Sequence, residues 1–232
     1  QEDAEAQQTL GEFYENGLGT KKSMNEALKW YHLAAGNGNT IAQINLGKIY
    51  NKGEIVPKSY LEAVKWFKLA GEHGNAEAQF NLGVMYRKGT GVEIDLKEAV
   101  KWYKLAAVQG DPRAQSNLGV MYERGNGVQK NVQIAAHWYK KAALQGFAYA
   151  QSNLGVIYEQ GLGVIRDIKE ALKWYRLAAQ QGLAHAQTNL GVLYQTGRDV
   201  PKDIQEAVRW YKLAANQGDV NAQFNLGTIY GS

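Results

Sequence analysis

The six tryptophans of this chain recur at one fixed interval of 36 residues. They are Trp30, Trp66, Trp102, Trp138, Trp174 and Trp210. Seven glutamines from Gln7 to Gln223 and seven tyrosines from Tyr14 to Tyr230 keep the same interval. Such an internal repeat is typical of solenoids, in which each copy folds as one small unit and stacks on the next. We therefore predict a single solenoid domain over residues 1–232, with units at about 4–39, 40–75, 76–111, 112–147, 148–183 and 184–219 and a half unit at 220–230.

Each unit is predicted to be a pair of helices. In the third unit, apolar residues recur at three- and four-residue steps around Leu82 and again around Trp102, and Gly89 separates the two sets. We call the first segment helix A and the second helix B. Neither helix can bury its apolar face alone, so neighbouring units must stack. The predicted fold is an all-α, right-handed superhelical α/α solenoid of 36-residue helix-turn-helix repeats.

The ends of the helices carry their own chemical markers. Asp95 followed by Glu98 predicts a capping box, in which each side chain accepts a backbone N–H at the start of helix B. Gly110 predicts a left-handed residue after the end of that helix. Phe147 and Leu183 stand where most other units have Asn or Asp as the N-cap of helix A, and we expect packing to compensate for the missing cap.

Several classes of function are disfavoured by the residue content. The chain has no cysteine, which excludes disulfides, thiolate metal sites and cysteine nucleophiles. Its four histidines occupy different positions of the repeat without metal-ligand spacing, and no serine hydrolase signature occurs. Gly17–Ser23 resembles a phosphate-binding loop only superficially, because no strand precedes it. We predict no catalytic residues, no metal and no cofactor.

The repeat resembles the Sel-one-like repeat (SLR) family, a relative of the tetratricopeptide repeat. The resemblance rests on Ala-x-Ala-Gln-x-x-Leu-Gly-x-x-Tyr-x-x-Gly-x-Gly-Val followed by Ala-x-x-Trp-Tyr-x-x-Ala-Ala-x-x-Gly, which residues 76–110 match almost throughout. It implies a superhelical adaptor that brings proteins together, common in bacteria and often exported or in contact with host cells. Some cysteine-rich members have been linked to penicillin binding or hydrolysis, and a chain without cysteine lies outside that subgroup.

The resemblance also shapes expectations about location and assembly. We expect a bacterial protein, exported or periplasmic, whose signal peptide has been removed. No stretch of about 18 apolar residues occurs, so membrane insertion is not predicted. The last unit stops after helix A, which predicts a fragment of a longer repeat protein. Self-association through the open ends of the solenoid is compatible with this arrangement.

A partner-binding groove is predicted along helix A. Positions two before and two after the buried leucine are expected to point away from the core, and an asparagine recurs just before that leucine. The predicted groove residues are Phe80, Ser116, Ser152, Val84, Val120, Val156, Val192, Asn81, Asn117, Asn153 and Asn189. Valine would supply apolar contact, and the asparagine amide would hold an extended peptide backbone. Alternatively, valine packs between adjacent A helices and asparagine ties neighbouring units together.

A basic stripe on helix B supports a different partner. Residues one before and two after each tryptophan are predicted to be exposed, and ten of these twelve are Lys or Arg. Such a stripe could bind nucleic acid or an anionic surface, but glutamates three residues earlier partly neutralise it, and the net charge is only +4. The leading prediction is therefore a scaffold for another protein or peptide. Cell-wall ligand binding or hydrolysis and nucleic-acid binding are the alternatives.

Overall fold

A computed structural model describes residues 3–231, and every regular element in this range is an α-helix. The A helices are α1 (Ala4–Asn16), α3 (Thr40–Lys52), α5 (Ala76–Lys88), α7 (Pro112–Arg124), α9 (Ala148–Gln160), α11 (Ala184–Thr196) and α13 (Val220–Tyr230). The B helices are α2 (Met24–Gly36), α4 (Tyr60–Glu72), α6 (Leu96–Val108), α8 (Val132–Leu144), α10 (Ile168–Gln180) and α12 (Ile204–Ala215). Helix and loop boundaries follow the 36-residue repeat, which confirms the predicted all-α solenoid of helix pairs.

The chain divides into two compact units, one ending at Ala114 and the other beginning at Gln115. Within the units, α1, α3, α5, α9 and α11 each pack against the B helix that follows them in the chain, and α2, α4, α8, α10 and α12 each pack against the next A helix. This is the stacking that a repeat with one broad apolar face requires. None of the described helices is long and apolar enough to cross a membrane.

The predicted helix ends are mostly confirmed, with one correction at helix B. Asp95 accepts the backbone N–H of Glu98 at 3.0 Å, as a capping box requires. The reciprocal bond is absent, because the Asp95 N–H donates to the Tyr86 carbonyl of the preceding A helix at 3.0 Å. Glu98 instead pairs with Lys101 at 3.1 Å. Gly110 has a φ of 99°, so the predicted left-handed residue is present.

The buried centre of helix B is the tyrosine that follows the tryptophan. Tyr103 is fully buried, whereas Trp102 is 5% exposed and Trp138 is only half-buried. The prediction that tryptophan marks this centre is therefore wrong by one residue. The cause is close packing on Gly83, since a Cβ atom there would lie 2.5 Å from Tyr103 Cδ1. The Leu-Gly pair of helix A thus makes room for an aromatic ring that sits directly on the helix backbone.

The recurring glutamine of helix A forms a relay between helices. Gln151 donates its Nε2 to the Ala143 carbonyl at the end of α8 at 3.1 Å, and its Oε1 accepts from Gln181 after α10 at 2.8 Å. Gln79 makes the same two contacts, with the Gly71 carbonyl and with Gln109. These glutamines are buried, so both halves of each amide need partners. The glutamine therefore recurs at this position of the repeat because it links neighbouring helices.

The second repeat breaks this relay. His73 occupies the position at which the later repeats place the donating glutamine. The Oε1 atom of the buried Gln43 consequently has no hydrogen-bond partner. Its Nε2 still donates to the Ala35 carbonyl at 3.2 Å. One half of the relay is thus lost in this repeat.

Candidate functional site

The predicted groove positions divide into two classes by burial. The position two before the buried leucine is largely inside the protein: Ser116 is 5% exposed and Ser152 is 2% exposed. Ile44 and Thr188, at the same position, are also buried. Their placement on an open groove is therefore wrong. In a stack of helix pairs, helix A is covered both by its own B helix and by neighbouring repeats, so its exposed face is narrower than that of a helix packed on one side.

The four valines two positions after the leucine lie at the edge of the core. Val84, Val120, Val156 and Val192 are all half-buried. Val156 packs against the apolar cluster that contains Tyr175, and Val192 packs against the one that contains Tyr211. Packing against core clusters therefore accounts for part of the side chains of Val120, Val156 and Val192. In the second unit, the remaining parts of these three valines are open to solvent and form an apolar strip beside the A helices.

The fully buried tyrosines hold a row of polar side chains on the same surface. The Tyr139 hydroxyl donates to Glu123 Oε2 at 2.5 Å, and the Tyr175 hydroxyl donates to Glu159 Oε2 at 2.7 Å. Burial is the main cause that raises the pKa of Tyr175, and its carboxylate partner raises that pKa further. These pairs were not predicted from the sequence. The signal that could have revealed them is a glutamate or glutamine 16 residues before several of the buried tyrosines.

The asparagines also face these tyrosine hydroxyls. Asn153 interacts with the Tyr139 hydroxyl and Asn189 with that of Tyr175, and each contact favours a lower tyrosine pKa against the larger effect of burial. Asn45 and Asn225 make the equivalent contact in their repeats. The structure therefore favours the interpretation in which asparagine ties neighbouring repeats together at these four positions. Asn81 differs, because the preceding repeat has Phe67 where the others have tyrosine.

Cavities open beside the A helices in both units. In the second unit, a cavity of about 640 Å³ lies beside Glu159, Arg166, Val192 and Arg198. Arg166 pairs with Asp199 at 2.8 Å, whereas Arg198 is exposed and forms no ion pair with any residue that the structure describes. In the first unit, a cavity of about 210 Å³ includes Asn81 and Val84 in its lining, and one of about 150 Å³ includes Asn45.

Phe80 lies on α5 in the first compact unit, and side chains of the same unit cover part of its ring. Its ring lies 6.1 Å from that of Tyr103, and the Arg113 guanidinium stands 4.3 Å above it. Arg113 is in turn held by Asp111 at 2.6 Å. Phe80 is thus a half-buried aromatic with a cation on one face.

The basic stripe of helix B lies where the sequence predicts, and five of its ten Lys and Arg residues pair with glutamate. Lys101 and Lys104 are exposed, and Lys101 both pairs with Glu98 and lies 5.8 Å from the centre of the Trp102 ring system. Glutamate pairs three residues away recur in five B helices, at Lys29, Lys65, Lys101, Lys173 and Arg209. These ion pairs weaken the positive field on which nucleic-acid binding depends.

The histidines form no reactive constellation in the part of the chain that the structure describes. His32 contacts the Tyr50 hydroxyl at 3.2 Å and packs edge-on against Trp66, and burial lowers its pKa. His137 and His185 are exposed on different helices. Among residues 3–231, no group of His, Asp and Glu side chains is arranged to hold a metal ion.

Comparison with known proteins identifies the repeat. The Sel1 repeat model matches six consecutive segments, 4–39, 40–75, 76–111, 112–147, 148–183 and 184–219. These are the same six full units that the tryptophan interval predicts. No curated protein sequence matches the chain significantly.

Solved structures with the same architecture come from several bacteria. The protective antigen c5321 of uropathogenic Escherichia coli, described as having an SLR fold, is 41% identical over 98% of this chain, with a TM-score of 0.91. The present chain spans about half of that protein, 49% of its length. A Sel1 repeat protein from Oxalobacter formigenes is 36% identical with a TM-score of 0.80, covering 91% of this chain and 85% of its own.

A more distant likeness extends to the immunity protein Pa5087 of Pseudomonas aeruginosa. It is 22% identical with a TM-score of 0.51, and it covers 96% of this chain and 83% of its own. At that identity the likeness concerns the fold alone. The six matched repeats and the two closer structures together establish that this chain belongs to the Sel1 repeat family.

Proposed function

We propose that this chain is an interaction scaffold that binds an extended segment of another protein along the exposed edge of its A helices. Sel1 repeat solenoids generally act as scaffolds for protein–protein interaction. The observation that carries the proposal is the cavity beside Val192, because it combines an apolar side chain with the exposed guanidinium of Arg198, which forms no ion pair with any described residue. Concave surfaces of this mixed character are where proteins usually bind ligands.

The chemistry of that cavity favours a peptide segment as the occupant. Val192 supplies apolar contact, and Arg198 supplies a charge that no described side chain neutralises through an ion pair. Val156 continues the apolar strip on α9. Extended peptides bind such surfaces through alternating apolar and polar contacts. We propose no catalytic role, since no acid–base or nucleophile pair stands out among the described residues.

The asparagines of the predicted groove differ in how far their amides already interact with other side chains of this protein. Asn153 and Asn189 already face tyrosine hydroxyls, so their amides are only partly available to a partner backbone. The valines and the unpaired arginine therefore take the larger share of partner contact in the second unit. Asn117 and Val120 are half-buried on α7 and belong to the same proposed surface.

Site-specific photo-crosslinking in the source cells tests this proposal. A benzophenone amino acid at Thr196, which is exposed and lines the cavity, should trap a partner protein. The matched control is the same amino acid at Arg176, an exposed position on helix B of the same unit. Val192→Thr, which replaces one methyl group by a hydroxyl, should reduce the Thr196 crosslink; because Val192 is half-buried, the melting temperature of the variant is measured alongside to show that it remains folded.

The outcomes discriminate between the candidate functions. A protein crosslink from position 196 with none from position 176 supports the A-helix surface. Protein captured only from position 176 would move the binding site to helix B. Crosslinked nucleic acid at position 176 would instead support the basic stripe.

A further inference from the structure

The second repeat lacks the polar pair that the other repeats build around their buried aromatic ring. In four repeats the tyrosine hydroxyl donates to a side-chain oxygen on its own A helix: Tyr31 to Glu15, Tyr139 to Glu123, Tyr175 to Glu159 and Tyr211 to Gln195. In the third repeat the Tyr103 hydroxyl accepts from Arg87 at 3.3 Å. The second repeat has Phe67 and Asn51 at these two positions.

The phenylalanine ring occupies the same place as the tyrosine rings. A Cβ atom on Gly47 would lie 2.6 Å from Phe67 Cδ1, and a Cβ atom on Gly11 would lie 2.6 Å from Tyr31 Cδ1. The aromatic ring thus packs on the backbone of helix A in the same way in both repeats. The second repeat lacks only the tyrosine hydroxyl and the longer acidic side chain that pairs with it. The cavity of about 210 Å³ opens at this point, with Phe67 and Asn51 in its lining.

The polar groups around this cavity are mostly hydrogen-bond donors. Asn81, from the next repeat, has no tyrosine hydroxyl to face, and Asn51 has no tyrosine to accept from. Lys88 and Thr90 line the same cavity, and no acidic residue does. Lys88 forms no ion pair with any described residue. The lining of this cavity thus carries two asparagines, two residues with hydroxyls and a lysine, and no carboxylate.

We propose that this cavity binds the carboxylate of a glutamate or aspartate side chain on the protein partner. The proposal rests on the scaffold function above and assigns one contact within it. Other repeats of this chain provide the precedent. Glu15, Glu123 and Glu159 place a carboxylate at the repeat position that Asn51 occupies in the second repeat. A partner carboxylate would accept from the Asn51 and Asn81 amides, and Lys88 would balance its charge.

The amides matter more than the lysine to the strength of this contact. Lys88 is exposed, and an ion pair in water contributes little on its own. Asn81 is half-buried, so a hydrogen bond from its amide to a charged acceptor is less screened. Val84 beside it would pack on the methylene groups of the acidic side chain.

Nuclear magnetic resonance titration of the full chain tests the proposal with defined probes. The first probe is the blocked peptide acetyl-Ser-Gly-Glu-Gly-Ser-amide, and the second carries Gln in place of Glu. The side-chain amide signals of Asn51 and Asn81 are followed, after assignment with Asn→Ala variants. We expect saturable shifts with the Glu peptide and at least about tenfold weaker binding of the Gln peptide.

The decisive variant combines Phe67→Tyr with Asn51→Glu. It rebuilds inside the cavity the tyrosine–glutamate pair of the other repeats, so its own carboxylate should exclude that of the peptide and abolish the shifts of Asn81 while the melting temperature stays equal or rises. Lys88→Gln should weaken Glu-peptide binding, whereas Lys52→Gln should not. Lys52 occupies the same repeat position one unit earlier, where Tyr31 and Glu15 form their pair.

Each other outcome contradicts the inference. Equal binding of the Glu and Gln peptides, or unchanged binding by the Phe67→Tyr and Asn51→Glu double variant, would show that the cavity does not select a carboxylate. Equal shifts with acetate at the same concentration would indicate a site for free anions in place of a partner side chain. Because these probes need no natural partner, failure here leaves the Thr196 crosslinking result untouched, and the reverse also holds.

Discussion

Replacing Gly155 by alanine should destabilise the protein, whereas the same change at Gly227 should stabilise it. Both glycines follow the leucine of helix A and lie in the second unit. A Cβ atom on Gly155 would lie 2.5 Å from Tyr175 Cδ1, about 1 Å inside the usual carbon–carbon contact. A Cβ atom on Gly227 would meet no atom within 4 Å.

The magnitude follows from the contacts of Tyr175. Its ring is fully buried, so it cannot move away freely, and overpacking of this kind costs about 1–3 kcal/mol. A displaced ring would also weaken the 2.7 Å hydrogen bond to Glu159, which contributes about 1.5–3 kcal/mol. Alanine gains about 1 kcal/mol over glycine in a helix interior. The net expected loss for Gly155→Ala is about 2–4 kcal/mol.

Urea denaturation followed by far-ultraviolet circular dichroism measures both variants. Gly227→Ala should raise the free energy of unfolding by up to about 1 kcal/mol, because only the helix-propensity gain applies. If the two variants shift stability in the same direction and by similar amounts, the close approach of Gly155 to the Tyr175 ring does not control packing.

Three further outcomes follow from burial and charge. Trp102→Ala should cost about 3–5 kcal/mol, and Lys104→Ala should change stability by less than about 0.5 kcal/mol in the same denaturation assay. Phe147→Asp restores an N-cap worth about 1 kcal/mol but removes a ring that packs against the core, so the melting temperature should fall; a rise would show that the ring is idle. Burial raises the pKa of Tyr211 from 10.0 to about 12, which favours the neutral hydroxyl in the folded state, so stability should decline as the pH rises above about 10; Tyr211→Phe should make that decline shallower in urea titrations.

The helices and their boundaries could be predicted because local chemistry repeats. Asp95 and Gly110 act within a few residues of the backbone groups that they cap, so one sequence window contains the whole interaction. The missing side-chain cap at Phe147 was visible for the same reason. Because the pattern recurs every 36 residues, each local inference could then be applied to every other repeat.

The exposed surface was harder to predict, because it depends on contacts between repeats. A helical wheel around Leu82 assumes one covered face, whereas Ser116 and Ser152 are buried by neighbouring helices as well. The preference for Tyr103 over Trp102 as the buried centre depends on its packing against Gly83, which lies 20 residues earlier in the chain. Neither effect has a signal within a single helix.

The second repeat departs from the others in a way that bears on local unfolding. Phe67 removes a hydroxyl hydrogen bond, and His73 leaves Gln43 Oε1 without a partner, so two polar contacts between elements are absent from one repeat. In a repeat array, each interface contributes separately to stability, and the weakest one opens first. Amide hydrogens of α3 and α4 should therefore exchange with deuterium faster than those of α9 and α10. The repeat that offers an open cavity to a partner is therefore also expected to unfold locally more readily than the repeat formed by α9 and α10.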